Sequence, residues 1–202
     1  MSEESVDGAR RARPGRGRRP AAEVREAVLT AAAAQLFEGG LAAVTFEKVA
    51  ARAGASKMTL YKWWPTPGSL AFDAYFHAVE ATLAFPDTGG IERDLRTQLH
   101  AFVGLLTGSA GPVIAELVGA AQSDAVLAEA FAQTYTRPRR LLAVQTLQTA
   151  QRRAQIRPDV DPEVVVDQLW GACYHRLLLP DQPLSLDFAD ALLANLLRGI
   201  RA

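Results

Sequence analysis

The 202-residue sequence has few of the features that mark secreted or membrane proteins. Its single cysteine, Cys173, cannot form a disulfide within one chain, so nothing indicates an oxidising compartment. Its longest strictly apolar runs, such as Ala31–Ala34 and Leu177–Pro180, are far shorter than the roughly 20 residues of a membrane helix. The first twenty residues are rich in arginine and no hydrophobic block follows them, which argues against a secretory signal. We therefore expect a soluble, cytoplasmic protein with no membrane partner.

Signs of catalysis are also missing. The sequence has no glycine-rich phosphate loop, no nucleophile elbow and no clustered histidine and glutamate motif. The three histidines, His77, His100 and His175, lack the spacing of metal ligands. We expect no enzyme activity, no cofactor and no metal. An enzyme on a helical scaffold is the alternative, which assays on candidate metabolites would test.

Positive charge is concentrated near the N-terminus, although the net charge of the whole chain is zero. Residues 10–64 contain 11 lysines and arginines against 4 acidic residues, a net charge of +7. Residues 65–202 contain 11 against 15, a net charge of −4. This asymmetry favours a polyanion partner for the N-terminal part alone, with solubility as the simpler explanation.

Helical periodicity covers most of the chain, and no segment alternates as a strand would. In residues 1–21 arginines alternate with prolines and glycines, which indicates a disordered basic arm. Apolar stripes and breaking residues then predict helices near 23–39, 46–53, 57–63, 69–84, 91–107, 112–122, 124–154, 162–178 and 185–198. Pro138 predicts a kink or two abutting helices. The expected fold is all-α, about nine helices, with a three-helix domain at 22–68 and a helical bundle at 69–202.

Two short helices joined by a glycine turn form a helix-turn-helix pattern. Ala50 is small where the next helix crosses closely, Gly54 relieves strain in the turn, and Leu60 packs the second helix on the first. The second helix presents outward Lys57, Met58, Thr59, Tyr61 and Lys62. Such a face suits a helix that enters the DNA major groove. A hairpin formed for packing alone would show the same alanine, glycine and leucine spacing.

Residues 22–76 resemble the DNA-binding domain of the TetR family of bacterial transcriptional regulators. The matching positions are Val28-Leu29, Ala33, Leu36-Phe37, Gly40, Thr45-Phe46, Val49-Ala50, Ala53-Gly54, Ser56-Lys57, Thr59-Leu60-Tyr61, Trp64-Pro65 and Leu70. The segment from Asp161-Pro162 to Leu197-Arg198-Gly199 is similar to one common C-terminal regulatory domain of that family. Pro67 departs from the pattern, because similar members carry there a lysine that contacts phosphate. Met58 departs too, where many members have glycine or a small polar residue.

The resemblance implies roles for the residues of the two short helices. Thr45, Ser56, Thr59 and Tyr61 would contact phosphates, while Lys57, Met58 and Lys62 would lie nearest to base edges. Thr45 and Ser56 also suit helix N-caps, and Lys57 could contact phosphate only. Trp63 would donate its indole N–H to a phosphate or pack between helices, and Trp64 would be core.

The basic arm offers a further contact with DNA. Its sequence Gly15-Arg16-Gly17-Arg18-Arg19-Pro20 suits insertion into a narrow minor groove, with Arg18 and Arg19 as the contacting residues. The alternative is a tail that attracts DNA without sequence preference.

A dimer is expected because one helix-turn-helix covers too few base pairs for strong specificity. Two apolar stripes on the last two helices predict the interface: Val166, Leu169, Trp170, Cys173 and Leu177 on one, and Phe188, Leu192, Leu196 and Ile200 on the other. Some of these side chains must face inward.

The middle helices have the composition of an apolar ligand cavity. Candidate lining residues are Phe76, His77, Phe102, Phe131, Tyr135 and, on the helix near 162–178, Trp170.

The sequence thus predicts a DNA-binding domain at 22–68 followed by a ligand-binding and dimerisation domain at 69–202. We expect a repressor that binds an inverted-repeat operator as a homodimer and is released by an unknown small-molecule effector. A protein that coats DNA without sequence preference is the other alternative.

Overall fold

The structure is a computed structural model that describes residues 19–179 and 181–201. Its α-helices are α1 Ala21–Gly39, α2 Phe46–Ala53, α3 Lys57–Trp63, α4 Pro67–Val79, α5 Ile91–Thr107, α6 Ala110–Ser123, α7 Ala125–Phe131, α8 Arg137–Arg152, α9 Pro162–Leu178 and α10 Leu186–Ile200. Two 3₁₀ segments, Leu41–Ala43 and Glu80–Leu83, and a π segment, Ala132–Thr136, complete the helical elements. The described residues contain no strand, so the all-α prediction is confirmed.

The first helix begins earlier than predicted. Ala21 belongs to α1 although the range 1–21 was assigned to the arm, because Pro20 precedes two alanines that favour helix. The Val24 N–H donates to the Pro20 carbonyl at 3.1 Å and closes the first turn. The predicted disorder of residues 1–18, including Arg18, lies outside the described residues.

The fourth helix also begins earlier than predicted, at Pro67 rather than Ser69. The Thr66 hydroxyl accepts from the Ser69 N–H and the Ser69 hydroxyl accepts from the Thr66 N–H, both at 3.1 Å. This capping box starts the helix two residues upstream of the prediction. Pro67 fits the first helical position, because an N–H there would have no partner within the helix and proline has none to lose. The expected domain boundary at 68 and 69 therefore falls within the first turn of α4.

The long stretch predicted at 124–154 contains the expected interruption. Pro138 has no N–H to donate and its ring crowds the carbonyl one turn earlier. The helix adapts by widening into the π segment Ala132–Thr136 between α7 and α8. Tyr135, on this segment, is thereby turned into the core at 5% exposure.

Helix α4 joins a small N-terminal head, α1–α3, to the helical body. It packs on α1 on one side and on α7 and the π segment on the other. In the body, α5 packs against α10, α6 and α9, and α8 packs against α9. The apolar cores of head and body are continuous through the buried Leu70, Phe72 and Tyr75 of α4.

In the part of the chain that is described, no single helix has the length and hydropathy of a membrane span. Helices α5 and α6 meet the criteria only when joined, across a bend of 83°.

Candidate functional site

The turn between α2 and α3 fixes the angle of the two helices. Gly54 ends α2 with φ +63°, a left-handed conformation that glycine adopts without strain. The Ala55 N–H then donates to the Ala50 carbonyl at 3.0 Å. Leu60 of α3 is fully buried and Ala50 is 5% exposed, so the second helix is held closely against the first. The predicted helix-turn-helix geometry is present.

The outward face of α3 is exposed. Met58 is 76% exposed and Tyr61 56%, and Lys57 and Lys62 are exposed as well. Thr59 is half-buried. The Tyr61 ring meets the buried Phe46 ring edge-on at 4.7 Å, which restricts the tyrosine although its hydroxyl end is free to contact a ligand.

The hydroxyls of Thr45 and Ser56 cap the two helices. Thr45 Oγ1 accepts from the Lys48 N–H at 3.3 Å, and Ser56 Oγ accepts from the Thr59 N–H at 3.1 Å. A further hydrogen bond of 2.9 Å joins Ser56 Oγ to Thr59 Oγ1. Both predicted caps are therefore present, while the phosphate contacts implied for these three hydroxyls stay predictions.

The lysines of the head differ in their partners. Lys57 Nζ lies 2.5 Å from Glu47 Oε1, and this hydrogen bond lowers the pKa of the Glu47 carboxyl. Lys62 has no carboxylate within 4.0 Å among the residues described, and neither has Lys48. Lys48 is not among the residues predicted from the sequence, although helical periodicity in α2 would place it on the exposed side beside the Thr45 cap.

Trp64 connects the end of α3 to α4 and α1. It is 5% exposed, as predicted for a core residue, and its indole N–H donates to Asp73 Oδ2 at 2.9 Å. Arg25 reaches the same oxygen at 2.5 Å and lies 5.7 Å from the Trp64 ring centroid. Trp63 is half-buried against Trp64, with ring centroids 5.6 Å apart, which fits the packing alternative and leaves the phosphate contact a prediction.

Arg19 is the described residue of the arm. Its guanidinium donates to the Ala53 carbonyl at 3.3 Å, so it lies at the C-terminal end of α2. The minor-groove role of Arg19 stays a prediction, and Arg18 lies outside the described residues.

A cavity of about 320 Å³ opens among α5 to α9 and the π segment. Of the six predicted lining residues, it brings together Phe102, Phe131, Tyr135 and Trp170. It is also lined by residues that were not predicted from the sequence, chiefly Phe85, Arg139 and Tyr174. Only the aromatic composition could have signalled Phe85 and Tyr174, because helices distant in sequence bring these residues together.

Phe76 and His77 lie outside this lining. The Phe76 ring packs edge-on against Tyr135, with centroids 5.8 Å apart, behind the cavity wall. His77 Nε2 lies 2.9 Å from Glu26 Oε1 on α1. The two residues are adjacent on α4 and face opposite neighbours. Phe76 faces the cavity wall, and His77 faces α1 of the head.

The predicted dimer residues divide into two groups. Val166 and Cys173 are 7% and 0% exposed, so packing within one chain already covers them, and their contact with a partner stays a prediction. Burial also raises the pKa of the Cys173 thiol to about 12. Trp170 and Val166 line the cavity. The partly buried set is Trp170, Leu177, Phe188, Leu192 and Leu196.

Comparison with known proteins agrees with this architecture. Residues 28–70 match the family described as bacterial regulatory proteins, tetR family, and residues 85–196 match the tetracyclin repressor-like C-terminal domain. The chain is 35% identical over 187 residues to the uncharacterised HTH-type transcriptional regulator YdeS of Bacillus subtilis, covering 93% of this chain and 94% of that protein. It is 32% identical over 165 residues to the DNA-binding transcriptional repressor TetR of Mycobacteroides abscessus, covering 78% and 84%.

A solved structure shares both fold and sequence. The TetR family transcription regulator SCO0332 superposes with a TM-score of 0.83 at 55% identity, over 89% of this chain and 100% of that one. The family consists of transcriptional regulators and not of enzymes. With the exposed face of α3 on a head that matches the family in sequence and fold, the chain belongs to the TetR family of DNA-binding, helix-turn-helix transcriptional regulators.

Proposed function

We propose that the protein is a repressor that binds an inverted-repeat operator as a homodimer and leaves it when a small-molecule effector binds the helical body. The observation that carries the proposal is the outward face of α3, where Met58, Tyr61 and Lys62 stand exposed on a rigidly packed helix. A relative 32% identical over 165 residues is named as a DNA-binding transcriptional repressor, which supports repression rather than activation. Such a protein acts on DNA in the bacterial cytoplasm.

The exposed side chains of α3 suit contacts in the major groove. Lys62 is our candidate for a base contact, because an ammonium donates well to guanine acceptors and has no competing carboxylate nearby among the described residues. Met58 would give apolar contact to a thymine methyl. Lys57 is paired with Glu47 and must break this ion pair to bind DNA. We assign it to a phosphate of the DNA backbone, which would replace the carboxylate as its anionic partner.

The last two helices leave an apolar surface that suits a partner. The Arg176 guanidinium of α9 lies 3.6 Å from the Phe188 ring centroid, which places that side of α10 toward α9. Leu192 and Leu196 follow Phe188 at four-residue steps on the same side and stay partly exposed. On α9, Gln168 and His175 are exposed. Pairing these helices with those of a second copy would form a four-helix interface.

Helix α4 provides a route from the cavity to the head. Phe131 and Tyr135 of the cavity wall pack on Phe72 and Phe76 of α4, with ring centroids 5.1 and 5.8 Å apart. A ligand that displaces these two rings would move α4 and, through it, the spacing of the two α3 helices in a dimer. Reciprocity then requires operator DNA to weaken effector binding by the same factor.

The other side of α4 holds the head. Asp73 binds Arg25 and Trp64, and His77 binds Glu26. These contacts tie α4 to α1 and to the end of α3, so a shift of α4 reaches the DNA-binding face.

Selection of bound duplexes from a random library tests the proposal. We expect the recovered DNA to share an inverted repeat whose half-site centres lie one helical turn, roughly 34–36 Å, or a multiple of it apart. Lys62→Ala should relax the preference at one base position of each half-site, whereas Arg93→Ala, at an exposed position of α5, should keep the full preference. Recovery of duplexes that share no motif would favour the alternative of non-specific coating.

A further inference from the structure

Three arginines at the start of α8 differ in their partners. Arg137 pairs with Glu129 at 2.9 Å, and Arg140 pairs with Glu163 at 2.7 Å and also with Asp167. No carboxylate lies within 4.0 Å of the Arg139 guanidinium in residues 19–179 and 181–201. Of the three, Arg139 is thus the cation left without a counterion there.

Arg139 lines the cavity instead of pointing to solvent like its neighbour Arg137. Its guanidinium carbon lies 4.9 Å from the Phe85 ring centroid. Burial lowers the pKa of this guanidinium, and the nearby Tyr135, Tyr174 and Glu80 only partly oppose that effect. An arginine nevertheless stays charged at neutral pH. A desolvated cation without a partner is costly, so an anion that enters the cavity gains a strong interaction.

The hydroxyls beside Arg139 are arranged to donate. The Tyr174 hydroxyl donates to the Tyr135 oxygen at 3.3 Å, and no described group accepts the proton of Tyr135 itself. Burial raises the pKa of both phenols, so both keep their protons at neutral pH. The Trp170 indole N–H is already bound to Gln98 at 2.9 Å. Arg139 and Tyr135 therefore offer the cavity N–H and O–H groups without a described acceptor, whereas Arg140 and Asp167, which also line it, are paired with each other.

The rest of the wall is aromatic and confines a flat group. Phe131 and Tyr135 have parallel rings with centroids 5.4 Å apart, and Phe85 packs on Trp170 at 5.8 Å. The volume of about 320 Å³ is near the lower end of small-molecule sites, roughly 300–1,000 Å³. The space suits one or two fused rings rather than a long chain.

We propose that this cavity takes a small aromatic carboxylate, whose carboxylate group binds the Arg139 guanidinium and accepts from the Tyr135 hydroxyl. The ring of the ligand packs among Phe85, Phe102 and Phe131. The inference deepens the proposed function, on which it rests, by giving the chemical class of the effector.

Calorimetric titration of the full chain, without DNA, tests the ligand class. The probes are benzoate, cinnamate and 2-naphthoate, each with its primary amide as a neutral control of the same shape. We expect at least one acid to bind about tenfold or more tighter than its amide, a difference of about 1.4 kcal/mol. Arg139→Gln should abolish this preference and leave the affinity for the amide unchanged, which also shows that the variant is folded.

Two further variants separate charge from geometry. Arg137→Gln removes a charge of the same helix outside the cavity and should leave the preference intact. Arg139→Lys keeps the charge but loses the planar fork, so it should retain part of the preference. Amides that bind as tightly as the acids, acids that do not bind at millimolar concentration, or a preference that survives Arg139→Gln would each overturn the inference.

A separate measurement keeps the proposed function distinct. If an acid binds through Arg139 but leaves operator affinity unchanged, the ligand class stands and the effector role fails. If neutral ligands bind the cavity and release the operator, the effector role stands and the ligand class fails.

Discussion

At the residue scale, variants of two exposed lysines on neighbouring helices distinguish a contact with a base from a contact with a phosphate. Lys62 lies on the outward face of α3, and Lys48 lies in the first turn of α2. Lys62→Ala should cost about 1–3 kcal/mol of binding free energy at one base position of the operator. Lys48→Ala should weaken binding to all duplexes alike and reduce the salt slope by about one. Fluorescence anisotropy with single-base operator variants at several salt concentrations measures both effects.

Equal loss on every duplex for both variants would contradict the base contact. Lys62 would then act on phosphate alone, and specificity would have to come from Met58 or from the arm.

The single cysteine should be inert in the folded chain. Cys173 is fully buried and its thiol has a pKa of about 12, whereas a free thiol titrates near 8.5. At pH 8 the buried thiol is almost entirely protonated in the folded chain, so alkylation by iodoacetamide should require opening of the structure and be far slower than in the denatured chain. Because the thiol ionises at lower pH in the unfolded chain, the free energy of unfolding should fall as pH rises above about 8.5. Fast stoichiometric labelling of the native protein would show that the thiol is accessible.

At the element scale, the turn between α2 and α3 depends on one backbone conformation. An added Cβ at Gly54 would touch nothing closer than Arg19 at 3.9 Å, so the cost of Gly54→Ala comes from its φ of +63°. We expect a loss of roughly 1–2 kcal/mol in the free energy of unfolding. Gly104→Ala, in the exposed middle of α5 with open space around it, should instead gain about 0.5–1 kcal/mol. Urea denaturation measures the change in the free energy of unfolding for both variants. Losses of equal size in the two would refute the left-handed turn.

Most helices could be predicted because their ends carry local signals. The predicted bounds of α2, α5 and α9 agree with the structure, where Thr45 and Asp161 cap α2 and α9 and Gly90 precedes α5. The start of α4 was misplaced because Pro67 and Gly68 are helix breakers in most contexts, and the capping box of Thr66 and Ser69 outweighs them here.

The parts of the site that depend on nearby residues in the sequence could be predicted, and the parts that depend on the packing of distant helices could not. The face of α3 follows from helical periodicity within seven residues. The cavity depends on which helices meet, so Arg139 could not be told from Arg137 and Arg140 before their partners were known. For the same reason the stripe on α9 did not reveal which of its residues, such as Val166 and Cys173, are covered by their own chain.

At the scale of the whole molecule, the assembly state should depend on one side of α10. Leu192 lies on the side next to α9, whereas Leu186 shares its side with Asp190, which binds Arg96 and His100 of α5. Leu192→Arg should shift the protein from dimer to monomer and weaken operator binding, because the two half-sites are then bound independently. Leu186→Arg introduces the same group and should leave the dimer intact. Sedimentation velocity distinguishes these outcomes, and a dimer that survives Leu192→Arg would place the interface elsewhere.

The most direct test of the account compares the affinity of the full chain for the selected inverted repeat with that for a scrambled duplex of the same composition. Non-specific phosphate contacts weaken both complexes as salt increases, but contacts of the α3 face with bases exist only in one. The account predicts a preference of about a thousandfold or more for the repeat, present across the whole salt range. Equal affinities for the two duplexes at every salt concentration would contradict it.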